Sequence, residues 1–65
     1  NFEDAVKWFT LAAEQEYADS HYYLGVCYNN GQGIEKSRSK AIKHLRAAKY
    51  GGNEDAAEAL RILSE

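Results

Sequence analysis

The sequence predicts an all-α chain built as a solenoid of antiparallel helix pairs, and three observations carry that prediction. Apolar and small residues recur at helical spacing in separate stretches. A glycine-marked segment, Gly31-Gln32-Gly33, joins two of those stretches. A single shift of 36 residues superimposes the first half of the chain on the second. Under that shift Ala5, Val6, Lys7, Phe9 and Ala12 fall on Ala41, Ile42, Lys43, Leu45 and Ala48, and Ser20, Tyr23 and Leu24 fall on Ala56, Ala59 and Leu60. A period of roughly 20 to 50 residues made of helical units reads as a stack in which each hairpin buries its apolar side against its neighbours.

The elements follow in order. The first helix, near 2–15, is assigned by its register onto the third. The second, near 18–30, gathers Ser20, Leu24, Cys27 and Tyr28 on one face at about 100° per residue. Gly25 sits beside that face. A glycine inside a helix costs roughly 1 kcal/mol against alanine, so its presence predicts close approach of another helix. The third helix, near 38–50, starts at the N-cap Ser37, presents Ala41, Leu45 and Ala48 as one stripe, and stops at Gly51-Gly52. The fourth, near 54–64, carries the apolar stripe Ala56, Ala59, Leu60 and Leu63. Arg61 stands there in the place of Gly25, and Glu58, Arg61 and Glu65 give the helix a polar outer surface, as a terminal cap needs; truncation of a longer array at this point is the alternative. The expected division is therefore residues 1–17 as the second helix of a preceding repeat, 18–52 as a complete repeat, and 53–65 as a terminal or capping helix. The chain opens without methionine in the start of a helix, and it is expected to be a piece of a longer repeat protein.

Composition bounds the functions available. With 65 residues, a net charge of -2 and 45% apolar residues, the chain is one domain at most and near the lower limit for a self-sufficient core. An enzyme-sized cleft is not expected. No run of about 18 apolar residues and no cationic-then-apolar N-terminus is present, so neither membrane insertion nor a signal peptide is predicted. Cys27, the one cysteine, lies on an apolar helix face and reads as a small core residue.

The combined spacing Leu24-Gly25, Tyr28, Gly31-x-Gly33-Ile34, Lys40-Ala41-Ile42 and Ala47-Ala48 resembles the Sel1-like repeats, relatives of the tetratricopeptide repeat. The resemblance covers the central repeat, and partial copies cover nearly all the rest. Tetratricopeptide repeats share the Leu-Gly and alanine positions, but their period is about 34 residues and their inter-helix turn is tighter. Departures from the pattern are His44 at the aromatic position held by Trp8 in the first copy, Ser37 where an aspartate cap is usual, Lys49 for the second alanine, and Glu16 where Gly52 closes the other copy. The resemblance implies a right-handed superhelix of helix pairs whose first helices line a concave groove, and a non-catalytic role in protein-protein interaction or scaffolding.

Several features mimic chemistry. Gly31-Gln32-Gly33 lacks the lysine and hydroxyl residue of a phosphate loop and reads as a structural turn with positive φ at both glycines. His21, Cys27 and His44 lack metal-ligand spacing, since His21 and Cys27 are about 120° apart on their helix and no second cysteine exists. No Ser/His/Asp arrangement or carboxylate pair converges. No catalytic residue, cofactor or metal is therefore expected. Two surfaces remain. On the side of the second helix opposite Leu24 lie Asp19, Tyr22, Val26 and Asn29, with Tyr23 and Asn30 at the edge. This row of aromatic, aliphatic and amide side chains suits capture of a protein or peptide partner, while packing of both tyrosines on adjacent repeats is the equal alternative. The second surface is a basic stripe, Lys36, Lys40, Lys43 and Arg46, opposite Ala41, Leu45 and Ala48. It reads first as a solvated face compensated by acidic flanks, then as a surface for an acidic protein, and last as a contact for phosphates. The expected partners are a protein or peptide and neighbouring repeats, with no nucleic acid. Small-molecule, β-lactam-like binding or hydrolysis, known among cysteine-rich relatives, is the alternative that the resemblance brings. Those relatives staple their hairpins with paired cysteines, which this chain lacks.

Overall fold

The computed structural model describes residues 1–15 and 17–63. Glu16, expected in the place of a closing glycine, and Glu65, expected on the polar surface of the last helix, lie outside them. Four helices and no strand occur among the described residues: α1 (Phe2–Glu14), α2 (Ala18–Asn30), α3 (Arg38–Tyr50) and α4 (Glu54–Leu63). Each helix packs on the next in chain order, and α2 against α3 is the most extensive pairing.

Local chemistry explains the boundaries. The Asn1 side-chain oxygen accepts from the N–H of Glu3 (2.8 Å) and of Asp4 (3.3 Å), which caps α1. Ser37 does the same for α3, its Oγ accepting from the Lys40 N–H at 3.3 Å. α2 ends at Gly31, whose φ of 69° is left-handed, and the Gln32 N–H donates back to the Cys27 carbonyl at 3.0 Å. α3 closes in a Schellman arrangement: the N–H of Asn53 donates to the Ala48 carbonyl and that of Gly52 to the Lys49 carbonyl, both at 3.0 Å, with φ of Gly52 at 95°. The Tyr17 N–H donates to the Ala12 carbonyl at 3.4 Å, which is the Asn53-to-Ala48 bond moved by one repeat shift. The repeat thus extends to how the second helix of each copy is terminated.

Two buried clusters form the core. Val6, Ala13, Leu24 and Cys27 join α1 to α2, with Phe9 and Ile34 packed on them. Leu45, Ala48 and Ala56 join α3 to α4, with Tyr22, Ala59, Leu60 and Leu63 packed on them. Gly25 is the meeting point of the central hairpin. A Cβ built there would lie 2.6 Å from Leu45 Cγ and 3.2 Å from the Ala41 carbonyl oxygen, so the helix backbones approach as only glycine allows. The inter-helix loop is pinned at both sides. The Ser37 N–H donates to the Tyr28 carbonyl at 2.9 Å. Gly33, at φ 74°, lies directly against the backbone of Phe2 at the start of α1.

Candidate interaction surface

The row predicted on α2 does not form one continuous face. Asp19 is exposed at the start of α2, and its Oδ1 accepts from Asn53 Nδ2 at 3.0 Å. Asn53 also caps α4, its Oδ1 accepting from the Ala56 N–H at 2.8 Å, so one amide ties the α2 start to the α4 start. Tyr22 is half-buried and packs on the Leu45, Ala48, Ala56 cluster. Tyr23 stacks on Phe9 of α1, with ring centroids 5.0 Å apart, and meets the Tyr22 ring edge-on at 5.4 Å. Asn30 is exposed near the end of α2.

Val26 and Asn29 are the two that meet a cleft. With Gly25, Leu45, Ala59, Ile62 and Leu63 they line a space of about 180 Å³ between α2 and α4. Its walls are apolar apart from the Asn29 amide. Ile62, 57% exposed, is the member that the sequence reading missed. The signal was available: the 36-residue shift carries Val26 onto Ile62.

On α3 the basic residues separate as well. Lys36 lies ahead of the Ser37 cap, outside the helix, and its Cβ packs near Gly31. Lys40, Lys43 and Arg46 are exposed on α3. The expected compensation by acidic flanks is not made by ion pairs, because among the described residues no carboxylate pairs with any of the three; Glu58 pairs with Arg61. Lys40 Nζ instead stands 5.7 Å from the centroid of the Tyr28 ring.

A second cleft, of about 260 Å³, opens between α1 and α3 over α2, lined by Thr10, Ala13, Glu14, His21, Leu24, Tyr28, Lys43 and His44. Here helix packing brings together two residues that the sequence reading kept apart. His21 Nδ1 and His44 Nδ1 are 3.1 Å apart, a hydrogen bond in which one imidazole donates and the other accepts. Tyr28 lies parallel to His44 at 5.5 Å and 6°. The pKa of His44 is lowered from 6.5, by burial first and then by the charges of His21 and Lys43. A base whose folded pKa lies below its unfolded one binds fewer protons in the folded state. Its stabilising contribution is therefore complete above about pH 6.5 and is lost as pH falls from there through the lowered folded value. Denaturant midpoints of the wild type are expected to drop over that window more steeply than those of His44→Phe; parallel profiles would contradict it.

Among the described residues no group of three or more His, Cys, Asp or Glu side chains is placed to hold a metal ion. Cys27 is a buried free thiol whose pKa burial pushes up, the opposite of an activated nucleophile. No helix of the described residues is long and apolar enough to cross a membrane.

With this geometry in place, comparison with known proteins is informative. The family model described as Sel1 repeat matches residues 1–17 and 18–53. The chain is 39% identical over 61 residues to the rat protein DAP3-binding cell death enhancer 1, covering 94% of this chain and 12% of the relative. The mouse protein of the same name is 41% identical over 59 residues, covering 91% and 12%. An uncharacterized protein of Neisseria meningitidis serogroup B is 36% identical over 52 residues, covering 80% and 11%. The chain thus spans about 12% of the length of the rat and mouse relatives. No solved structure matches it.

Proposed function

The chain belongs to the Sel1 repeat family, and from that premise we propose that it is a non-catalytic segment of a right-handed α-solenoid that binds a protein partner through the cleft between α2 and α4. Residues 1–17 are then the second helix of a preceding repeat, 18–52 a complete repeat, and 53–65 a terminal or capping helix. The observation that carries the reading is the apolar cleft itself. Val26, Ala59, Ile62 and Leu63 present aliphatic surface, and Asn29 adds an amide able to bond a peptide backbone. Exposed aliphatic groups grouped around a concavity are the usual ground for a protein contact, whereas isolated ones are not. Two relatives are named for binding DAP3, so DAP3 is the partner to assay first.

Ile62→Ser is the test substitution, because Ile62 is exposed and its loss leaves the buried clusters intact. It is expected to weaken binding of the parent protein to DAP3 by at least about 1 kcal/mol, roughly fivefold, with little change in melting temperature. Asn29→Ala should act in the same direction. Tyr22→Ala is a poorer probe, since Tyr22 packs on the α3–α4 cluster and its truncation acts on stability too; it is to be compared at matched stability. If Ile62→Ser and Asn29→Ala both leave binding unchanged, the α2–α4 cleft is the wrong surface.

A further inference from the structure

We propose that the cleft between α1 and α3 is a second binding site, independent of the α2–α4 cleft, and that its ligand is an acidic protein segment which seats one apolar side chain in the cleft and sets its carboxylates on the cations of α3. The two clefts share no lining residue, so either reading stands or falls without the other.

Three observations converge on that ligand. The first is the composition of the walls. Ala13, Leu24 and Tyr28 line a space of about 260 Å³, enough for a single side chain and too small for a cofactor-sized ligand.

The second is charge. Lys43 lines the cleft, and Lys40 Nζ stands 5.7 Å from the centroid of Tyr28, another lining residue. Neither has a carboxylate partner among the described residues, nor does Arg46 one turn further on. From α1 the cleft receives one acid, Glu14; from α2 it receives His21 and Tyr28; from α3 it receives Lys43 and His44. Lys43 in the cleft and Lys40 beside Tyr28 thus stand against one carboxylate, Glu14. The chain as a whole is net acidic, which disfavours a long polyanion such as nucleic acid, whose binding depends on many phosphate contacts. A short segment with a few carboxylates around an apolar residue meets both the walls and the local cations.

The third is the histidine pair. The N–H···N bond between His21 and His44 is compatible with no added proton or with one. A second proton places two N–H donors face to face with no acceptor. In the free protein burial, His21 and Lys43 all oppose charge on His44. A carboxylate seated at the cleft supplies the opposing charge, so binding draws a proton onto the pair. The consequence is an affinity that rises as pH falls, because the pair takes up its proton more readily in the complex than in the free protein, where the pKa of His44 is lowered.

The probe is a short blocked peptide with one central leucine flanked by glutamates, compared with the same peptide carrying glutamines, each titrated into the parent protein at mildly acidic and mildly alkaline pH. Calorimetry in buffers of different ionisation enthalpy reads proton uptake, and NMR shifts report the site. The glutamate peptide is expected to shift His21, Tyr28 and His44 resonances, to bind about threefold or more tightly at the acidic pH with net proton uptake, and to bind about tenfold or more tightly than the glutamine peptide. Joint Lys40→Glu and Lys43→Glu substitution should abolish binding. His44→Phe, which keeps a ring against Tyr28, should lose the pH dependence. Equal binding of the two peptides, no binding by either, shifts centred on Val26, Asn29 and Ile62 instead, or an unchanged pH dependence in His44→Phe would each overturn the proposal.

Discussion

Gly25→Leu is expected to lower stability by several kcal/mol, enough to unfold a chain of this size near room temperature. The helix-propensity gain from removing a mid-helix glycine is under about 1 kcal/mol and cannot offset it. The reason is geometric. Even the first carbon of any side chain at position 25 would stand 2.6 Å from Leu45 Cγ and 2.8 Å from Leu45 Cδ2, and the Ala41 carbonyl closes the other side. Leu45 is 1% exposed and belongs to the α3–α4 cluster, so it cannot shift without disturbing that packing. Displacing it would part α2 from α3, the most extensive helix pairing in the fold. A thermal melt followed by far-ultraviolet circular dichroism decides the matter: a raised melting temperature in Gly25→Leu would show that the helices do not meet there. A double-mutant cycle adds detail, since Gly25→Ala should cost markedly less in a Leu45→Ala background, with the two changes coupled through the shared contact.

The second large effect is expected at Gly33. Its φ of 74° is one that an L-residue adopts at a cost of roughly 1–2 kcal/mol. Gly31, at 69°, shares that cost, but a Cβ at Gly31 meets no atom nearer than Lys36 Cβ at 3.2 Å. At Gly33 the added carbon would fall on the carbonyl of Phe2 and 2.7 Å from the Glu3 nitrogen, which is backbone on the first turn of α1. Gly33→Ala should therefore cost about 2–4 kcal/mol in all and Gly31→Ala about half as much or less. The excess should come from displacing α1, so it should appear as faster amide exchange in α1, while α3 stays protected. Equal melting temperatures for the two variants would mean that the loop does not brace α1. The loop then serves two functions in one motif, with the first glycine ending α2 and the second admitting the backbone of the preceding helix.

Ser37, Gly31, the Gly51-Gly52 stop and the Ala41, Leu45, Ala48 stripe were legible in the sequence because caps, left-handed termini and helical periods act within one or two turns of chain. Their bounds agree with the structure to within a residue wherever the residues are described. The close approach at Gly25 was legible for a related reason, since a costly residue in a helix points to a compensating contact. What faces each stripe was not legible. Helical periodicity puts Tyr22 with Val26 and Asn29 on the side away from Leu24, which holds for an isolated helix. α2 is flanked on both sides, with Leu24 and Cys27 turned to α1 and Tyr22 turned to the α3–α4 cluster, so the far side of its helix wheel is partly interior. Spacing along the chain does not join His21 to His44, because their 3.1 Å contact depends on the rotation of α2 and α3 about their own axes. The same holds for Asp19 with Asn53, which are 34 positions apart and meet across an interface. Periodicity determined which residues share a helix face. Which faces meet, and hence which polar groups find partners and which cations are left without them, was decided by the packing of four helices against one another.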